Sequence, residues 1–208
     1  MTAFDPAYGE TPVDPDDLAA LTPTALEILG NQPTRASLYD LEQQVLVDVG
    51  SELLGQIAEG DLELDEVLTD YFLRDLHERL YGDFWTWAGA YRRRELSIGV
   101  APEAIASELR VSLDNLAYRW ANAHDLTPRI LGMAVHADTV RVHPFTDGNG
   151  RTTRLFADLV FLAAQDAEVL FEYDWSVDKP RYIDLLRQYD VTRDARPLAE
   201  FVPIVRIA

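Results

Sequence analysis

The chain has 208 residues, 48% of them hydrophobic, with 36 acidic against 18 basic residues and a formal net charge of −18. Its length and apolar content suffice for one domain with a buried core and extensions. A surface this acidic repels phosphate backbones and anionic lipids, so nonspecific binding to nucleic acid or to membranes is disfavoured. The chain has no cysteine, which excludes disulfides, thiolate metal sites and cysteine nucleophiles.

The distribution of apolar residues excludes two further classes of protein. No run approaches the roughly 18 apolar residues that a membrane-spanning helix needs. The first residues carry neither a basic stretch nor an apolar core, so they do not resemble a secretory signal. We therefore expect a soluble protein of the cytoplasm.

The first 35 residues contain five prolines and no lysine or arginine before Arg35. This composition predicts an acidic, proline-rich, extended arm over residues 1–35 that is ordered only where it packs on the body. Residues 36–208 are predicted to form one mainly α-helical domain.

Apolar residues recur at helical spacing along most of this domain. The predicted helices cover residues 35–59, 64–81, 102–123, 128–142, 151–164 and 180–189, and a short helix or extended run covers residues 198–207. The segment GDFWTWAGAYRRRELSIGV is aromatic and then alternating, which predicts a turn and a short β-hairpin flap near residues 92–100. The predicted fold class is therefore all-α with one small β-hairpin.

The sequence HPFTDGNGRTTR, residues 143–154, combines residue types that suit phosphate chemistry. Pro144 ends the preceding helix, so His143 lies at a helix C-terminus, at the entrance to a loop. The rest of the loop is rich in glycine, and the free N–H groups of a glycine-rich helix start bind anions. The residues of this anion hole are Gly148, Asn149 and Gly150.

Charged side chains surround that anion hole. Arg151 and Arg154 lie one turn apart on the following helix, so both guanidinium groups can reach one polyphosphate. Asp147 supplies a single carboxylate, which Mg²⁺ prefers beside phosphate oxygens. His143 suits a general base, since the ordinary pKa of histidine is about 6.5. Together they predict a nucleotidyl- or phosphoryl-transfer site, although each part alone fits a helix end, a turn or an Arg154–Asp158 ion pair.

The same twelve residues match the HPFx(D/E)GNGRxxR motif of the Fic/Doc family at each defining position, so the chain resembles that family. GDFWTWAGAYR resembles the family's WAG-x-x-R segment, and PRYIDLLRQYDVTRDARPLAEFV resembles its C-terminal helices. The resemblance covers about residues 36–205. The TPVDPDDLAAL arm and the TRASLYDLEQ helix are similar to a subgroup found on mobile elements.

This resemblance implies a protein adenylyltransferase that uses ATP and Mg²⁺. His143 is implied to deprotonate a Tyr, Thr or Ser hydroxyl of a target protein, and Asp147 to hold Mg²⁺ on the phosphates. The residues implied to bind the phosphate chain are Gly148, Asn149, Gly150, Arg151 and Arg154. The flap is implied to hold the target backbone as an added strand, with docking residues Arg93, Ser97, Ile98 and Gly99. Gly150 stands where kinase-like Doc relatives carry lysine, which favours adenylyl transfer.

Alternatives stay open at this point. The site also fits a transferase that uses another nucleotide or phosphate donor, or a non-catalytic module that binds a nucleotide or peptide. Against the module stands His143, since a pure binder needs no base. Arg92, with its two arginine neighbours, fits either target docking or a solvated edge. Tyr182 fits either adenine contact or plain packing, and His136 either support of the site or an ordinary buried histidine.

The regulation of such a site also has alternatives. Many Fic proteins are inhibited by a helix with an [ST]xxxE[GN] motif, whose glutamate pairs with the second motif arginine, here Arg154. No glutamate in this chain has Ser or Thr four residues before it. Glu42 lies on the predicted helix over residues 36–59, where a divergent version fits. Inhibition by a separate antitoxin-like partner, inhibition through Glu42 and no inhibition all stay open, and the first is preferred.

Overall fold

The computed structural model describes residues 15–30, 33–166 and 169–207. Within these ranges the chain is mainly α-helical, as predicted, and carries a small two-stranded antiparallel sheet. No helix in the same ranges is long and apolar enough to cross a bilayer. In chain order the elements are α1 (Pro15–Ala20), α2 (Pro23–Leu29), α3 (Arg35–Glu59), α4 (Leu64–Val67), α5 (Asp70–Tyr81), a 3₁₀ helix (Pro102–Ala104), α6 (Ile105–Asn122), α7 (Pro128–Val142), α8 (Asn149–Ala163), β1 (Phe171–Tyr173), α9 (Lys179–Thr192), α10 (Arg196–Phe201) and β2 (Ile204–Arg206).

Helices α3 and α7 have the predicted bounds because their ends carry clear capping residues. The Thr34 hydroxyl accepts a hydrogen bond from the Ser37 N–H at 3.2 Å, and the Ser37 hydroxyl accepts one from the Thr34 N–H at 3.1 Å. This reciprocal pair is a capping box, and α3 ends at Gly60, whose φ is 80°. Helix α7 follows Thr127, whose hydroxyl accepts a hydrogen bond from the Ile130 N–H at 3.3 Å.

The single helix predicted over residues 64–81 is wrong, because the structure has two helices there, α4 and α5. Thr69 begins α5 as its N-cap, with an extended backbone and a hydroxyl that accepts a hydrogen bond from the Phe72 N–H at 3.0 Å. A residue in that conformation cannot continue α4. Val67, at the end of α4, and Leu68, within the break, are both buried, so the apolar stripe continues across the break.

The core is centred on α7 and α8, which pack against each other. Ten of the 15 residues of α7 and nine of the 15 residues of α8 are buried, so both helices are covered on more than one face. Helices α6, α9 and α10 contact α7, whereas α3, α4, α5 and β1 contact α8. The loop that carries residues 143–148 therefore connects the two most enclosed helices of the fold.

The predicted β-hairpin flap is wrong, because residues 92–100 contain no strand in the structure. The small sheet lies elsewhere, where β1 pairs with β2 and Glu172 lies opposite Val205. In the flap, the Arg92 side chain donates hydrogen bonds to the carbonyls of Arg94 and Val100. A side chain thus satisfies the backbone groups that a strand ladder would use. We keep the name flap for residues 92–100.

The described part of the N-terminal arm is helical, so the prediction of an extended arm is wrong over residues 15–30; residues 1–14 lie outside the described ranges. Pro23 stands at the start of α2, behind Thr22, whose hydroxyl accepts a hydrogen bond from the Ala25 N–H at 3.0 Å. Proline is well suited to the first turn of a helix. Two of the prolines that suggested an irregular arm, Pro15 and Pro23, therefore mark helix starts.

This part of the arm packs on the body. Leu21 forms an antiparallel bridge with Trp85, and the Thr22 N–H donates a hydrogen bond to the Phe84 carbonyl at 2.9 Å. Leu21 is 5% exposed and Ala25 is fully buried. The arm is thus docked through a backbone bridge and two apolar side chains beside the start of the WAG segment.

The docking of α2 can be tested with Ala25→Asp, which buries a carboxylate at a site that has no exposed surface. An unpaired buried charge is costly, so we expect α1 and α2 to detach. Hydrogen–deuterium exchange of peptides from residues 15–30 should then accelerate. The control is Ile28→Asp, on the same helix at a position that is 58% exposed, for which exchange should match the wild type. Unchanged protection in Ala25→Asp would contradict the docked arm.

Candidate active site

His143 caps the C-terminus of α7 in a left-handed backbone conformation, with φ of 52° and ψ of 63°. Its N–H donates a hydrogen bond to the Thr139 carbonyl at 3.0 Å, which completes the last turn of the helix. Partial burial lowers the pKa of His143, the positive charge of Arg92 lowers it further, and Asp147 opposes both effects. The imidazole is therefore neutral at neutral pH and is able to accept a proton.

The loop after His143 is closed by the side chain of Asn149. Its Oδ1 accepts a hydrogen bond from the Phe145 N–H at 2.9 Å, and its Nδ2 donates one to the Phe145 carbonyl at 2.8 Å. Phe145 is fully buried and Asn149 is 4% exposed. The Asn149 side chain thus shapes the loop from within, while its backbone N–H lies in the first turn of α8.

Gly148 is the N-cap of α8, with φ of 73°. A Cβ at this position would lie 2.6 Å from the Tyr81 ring, so only glycine fits. The Gly148 carbonyl accepts hydrogen bonds from the N–H and the hydroxyl of Thr152, both at 3.0 Å. The N–H groups of the first turn of a helix have no partner within it. This end of α8, where Gly150 is exposed, has the geometry of an anion site.

Four of the predicted site residues share one cavity of about 510 Å³, which is lined by Glu42, Asp147, Arg151 and Arg154. Asp147 is exposed, and its Oδ1 accepts a hydrogen bond from the Gly148 N–H at 2.7 Å. His143 does not line that cavity. The loop therefore separates the base, at its first residue, from the anion site and the arginines, at its end.

The two motif arginines have different environments. Arg151 forms an ion pair with Glu42 of α3, with 2.6 Å between Nη1 and Oε2, and its guanidinium lies 5.1 Å from the centroid of the Tyr81 ring. Arg154 makes no ion pair or hydrogen bond with any described residue. The alternative Arg154–Asp158 ion pair is not formed. Asp158 instead accepts hydrogen bonds from the Trp175 Nε1–H at 2.8 Å and from the Tyr173 N–H at 3.2 Å.

Glu42 is buried at the edge of this cavity, where it is 7% exposed. Its second oxygen, Oε1, accepts a hydrogen bond from the Trp85 Nε1–H at 2.6 Å. The family resemblance implies that an inhibitory glutamate pairs with the second motif arginine, Arg154. In this structure Glu42 contacts the first, Arg151. The helix for which inhibition is one of the open alternatives thus reaches the motif, but through a different arginine.

His77 is a supporting residue that the sequence analysis missed. Its Nδ1 accepts a hydrogen bond from the Gly89 N–H at 2.9 Å, so the proton is on Nε2, which donates to the Asp147 carbonyl at 3.1 Å. Its ring stacks on Phe145, with 3.7 Å between centroids. His77 therefore joins the WAG segment to the motif loop. The available signal was one polar residue in the apolar stripe of Leu73, Leu76 and Leu80.

His136 supports α8 in the same way. Its Nδ1–H donates a hydrogen bond to the Thr153 carbonyl at 3.1 Å, which leaves Nε2 to accept one from the Tyr182 hydroxyl. His136 is fully buried. The Tyr182 hydroxyl is therefore hydrogen-bonded inside the fold, and the pair supports α8 one residue before Arg154.

The flap places its arginines in two environments. Arg92 is buried, with 3% exposure, so neither alternative considered for it, target docking or a solvated edge, applies. Arg94 is exposed and lines the cavity. The four predicted docking residues are all exposed, as a contact surface for a target requires; they are Arg93, Ser97, Ile98 and Gly99.

The two buried histidines lead to a prediction on pH. Burial lowers the pKa of both His77 and His136 to about 4, whereas an unfolded histidine has a pKa of about 6.5. The unfolded chain therefore binds more protons between these values, so the stability that each neutral ring contributes is complete above pH 6.5 and is lost as the pH falls through 4. The loss is on the order of 3 kcal/mol for each ring.

Imidazole ¹⁵N chemical shifts measure this directly. At pH 5.5 we expect both rings to be neutral, with the proton on Nε2 of His77 and on Nδ1 of His136. The resonances are assigned with the His77→Asn and His136→Gln variants. Imidazolium shifts at pH 5.5, or the opposite tautomers, would contradict the hydrogen bonds described for these rings.

Comparisons with known proteins agree with this site. The Fic/DOC family model matches residues 67–161. Protein adenylyltransferase Fic of Nematostella vectensis is 28% identical over 149 residues, which are 68% of this chain and 33% of that protein. Protein adenylyltransferase fic-1 of Caenorhabditis elegans is 33% identical over 108 residues, 48% of this chain and 20% of that protein. The chain thus spans a fifth to a third of the length of these relatives.

Solved structures share the fold. A Fic domain-containing signaling protein from Bacteroides thetaiotaomicron has a TM-score of 0.58 and 29% identity, over 80% of this chain and 63% of that one. BepC, a VirB-translocated effector protein of Bartonella tribocorum crystallised with AMPPNP, has a TM-score of 0.59 and 18% identity, over 80% and 85%. The second likeness is one of fold alone. Family model, motif and fold agree, and residues 67–161 of the chain form a Fic/DOC family domain.

Proposed function

We propose that the chain is a protein adenylyltransferase, which transfers AMP from Mg-ATP to a Tyr, Thr or Ser hydroxyl of a target protein. The observation that carries this proposal is the arrangement of one short loop. A neutral histidine, His143, stands at its start, and the anion-binding N-terminus of α8 stands at its end. This arrangement supplies a base for a hydroxyl and a site for phosphate on the same rigid support.

In the proposed reaction, His143 takes the proton of the target hydroxyl while the hydroxyl oxygen attacks the α-phosphorus of ATP. A new bond forms between that oxygen and the α-phosphorus. The bond from the α-phosphorus to the oxygen that bridges it to the β-phosphorus breaks, and pyrophosphate leaves. The products are the AMP-modified protein, pyrophosphate and a proton, which His143 releases to solvent.

The phosphate chain is proposed to lie on the first turn of α8, where Gly150 leaves the backbone N–H groups accessible. Arg154 is poised to bind it, since its guanidinium has no partner among the described residues. Arg151 contributes once it leaves Glu42. Gly150 in place of the lysine of kinase-like Doc relatives supports transfer of AMP over transfer of phosphate.

The donor atoms of the site fit Mg²⁺ held mainly by phosphate. The described residues contain no cluster of three or more His, Asp or Glu that could bind a metal by themselves, and Asp147 offers one exposed carboxylate beside the anion site. One carboxylate with phosphate oxygens is the usual environment of Mg²⁺ in proteins. Asp147 would hold the ion, which would neutralise charge on the leaving pyrophosphate.

The relatives support the same chemistry. Those from Nematostella vectensis and Caenorhabditis elegans are named protein adenylyltransferases, and BepC was crystallised with AMPPNP. A Bartonella quintana protein of the same fold, with a TM-score of 0.52, was crystallised with ADP. The target protein, an antitoxin-like partner and a cytoplasmic location stay predictions from the sequence.

Label transfer tests the proposed reaction. The purified protein is incubated with Mg²⁺, a cell lysate and ATP labelled at either the α- or the γ-phosphate, and His143→Ala is the matched control. We expect protein label from the α position only, and an adduct with the mass of AMP less one water. Loss of the base should slow transfer by about 10²- to 10⁴-fold, with Mg-ATP binding unchanged.

Three results would contradict the proposal. Label from the γ position would indicate phosphoryl transfer instead. Undiminished transfer by His143→Ala would exclude the assigned base. Binding of Mg-ATP without transfer, both in the wild type and in a variant freed of the Glu42 contact, would indicate the non-catalytic module.

We further propose that Glu42 restrains the site by holding Arg151. The ion pair is short and half of it is buried, and a charged hydrogen bond of this kind contributes about 1.5–3 kcal/mol. Arg151 cannot bind phosphate without giving up this contact or bringing a carboxylate beside the phosphate. This role is inhibition through Glu42, one of the three regulatory alternatives given above. Inhibition by an antitoxin-like partner stays a prediction from the sequence.

Glu42→Gln tests this restraint, because glutamine keeps an oxygen for the Trp85 N–H but removes the charge. We expect the KM for ATP to fall and transfer to accelerate by about 10-fold or more. Glu59→Gln, at an exposed position on the same helix, is the matched control and should leave both unchanged. Slower transfer by Glu42→Gln would mean that Glu42 positions Arg151 productively, and an unchanged rate would remove this alternative.

A further inference from the structure

The three consecutive arginines of the flap differ in burial. Arg93 and Arg94 are exposed, whereas Arg92 is only 3% exposed. No ion pair joins Arg92 to a carboxylate of the described ranges. A buried guanidinium without a counter-ion is costly unless its donors are satisfied. The partners that satisfy Arg92 therefore indicate what it does.

All partners of Arg92 are backbone carbonyls. Its Nε donates a hydrogen bond to the His143 carbonyl at 2.8 Å. Its Nη1 donates to the Arg94 carbonyl at 2.9 Å, and its Nη2 donates to the Val100 carbonyl. One planar side chain thus joins the start of the flap, the end of the flap and the residue proposed as the base.

The backbone of Arg92 adds a further bond to the same site. Its N–H donates to the Pro144 carbonyl at 2.9 Å, so Arg92 holds the carbonyls of both His143 and Pro144. His143 has a positive φ of 52°, a conformation that a non-glycine residue keeps only when its surroundings impose it. Because this residue ends α7, a cation beside its carbonyl is also favoured by the helix dipole.

The far end of the flap lies directly against the same groups. Gly99 has φ of 99°, and a Cβ added there would lie 2.6 Å from Nη2 of Arg92 and 2.8 Å from Cβ of His143. The Val100 N–H also donates to the Val142 carbonyl at 3.3 Å. The flap is therefore closely packed against Arg92 and His143 at Gly99, so a change in the backbone path of the flap would displace His143.

We infer that Arg92 is a positioning residue that couples the flap to His143, so that the surface that receives the target and the base that acts on it keep a fixed relation. The roles given to the flap and to His143 rest on the proposed function, whereas the contacts that couple them are a property of the fold. ATP binding is assigned to α8 and the arginines on it, which Arg92 does not contact. Loss of Arg92 should therefore affect the hydroxyl side of the reaction and spare the nucleotide side.

Two substitutions test this coupling. Arg92→Met removes all three side-chain hydrogen bonds, whereas Arg92→Lys keeps the charge and one point of donation. Arg129→Met is the matched control, because Arg129 also donates to a backbone carbonyl, that of Val202 at 2.8 Å, but lies at the other end of α7. Thermal melts and circular dichroism of each variant establish that it folds.

Hydrogen–deuterium exchange is the first readout and needs no activity. We expect peptides from residues 93–100 and from the C-terminal turn of α7 to exchange faster in Arg92→Met, with partial recovery in Arg92→Lys and no change in Arg129→Met. Calorimetric titration with Mg-ATP should give the wild-type Kd in every variant. Label transfer from α-labelled ATP to lysate protein should fall by about 10- to 100-fold in Arg92→Met, since small misplacements of a reacting group have effects of this size.

Each result decides the inference. Wild-type exchange in Arg92→Met would overturn the coupling, and weaker Mg-ATP binding would make Arg92 a general structural residue. Faster flap exchange with undiminished transfer would show that the base does not depend on the flap. If the wild-type protein transfers no label, the proposed function fails, but exchange at the flap and at the end of α7 still decides whether Arg92 couples them.

Discussion

The loop between α7 and α8 depends on the two hydrogen bonds by which Asn149 holds the backbone N–H and carbonyl of Phe145. They close the loop at its base, so the chain must reverse direction within a few residues, and both His143 and Gly148 take a positive φ. Left-handed backbone costs a non-glycine residue roughly 1–2 kcal/mol. That conformation persists at His143 because α7 supplies the acceptor for its N–H and Arg92 supplies the donor for its carbonyl.

The polar groups buried around this loop follow from the same constraint. A tight loop between two enclosed helices leaves carbonyls inside the fold, and each one left without a donor would cost about 1–3 kcal/mol. A neutral imidazole offers one donor and one acceptor on a flat, largely apolar ring. His77 uses both, on Asp147 and Gly89, and His136 uses both, on Thr153 and Tyr182. A phenylalanine in place of His77 would fill its space but would leave the Gly89 N–H and the Asp147 carbonyl without this partner.

Local chemistry made much of this predictable from the sequence. A threonine N-cap begins each of α3 and α7, the left-handed Gly60 ends α3, and Pro144 follows the end of α7. The parts of the motif at residues 143–154 lie together because they are adjacent in the sequence. Two of the errors have local causes, because the N-caps Thr22 and Thr69 begin helices where composition and the apolar pattern alone predict an extended arm and one continuous helix. The others arise from contacts that no spacing in the sequence reveals. Alternation in the flap predicts a hairpin only if backbone groups pair with each other, and Arg92 satisfies them instead. The pairing of Glu42 with Arg151 spans more than a hundred residues, and no local pattern reveals which arginine a distant glutamate meets.

That pairing also makes α3 part of the site. Leu38 and Leu53 of the same helix are 4% and 1% exposed, and α3 packs on α8, so the helix cannot leave without exposing the core. The ion pair must therefore open by a movement of one of its two side chains, after which the Trp85 N–H is the remaining partner of the Glu42 carboxylate among the described residues. A buried carboxylate that loses its cation is strongly destabilised. Release therefore requires either a phosphate that binds Arg151 more strongly or a new partner for Glu42. The fold thus couples occupation of the anion site to the contacts of the Glu42 side chain on α3.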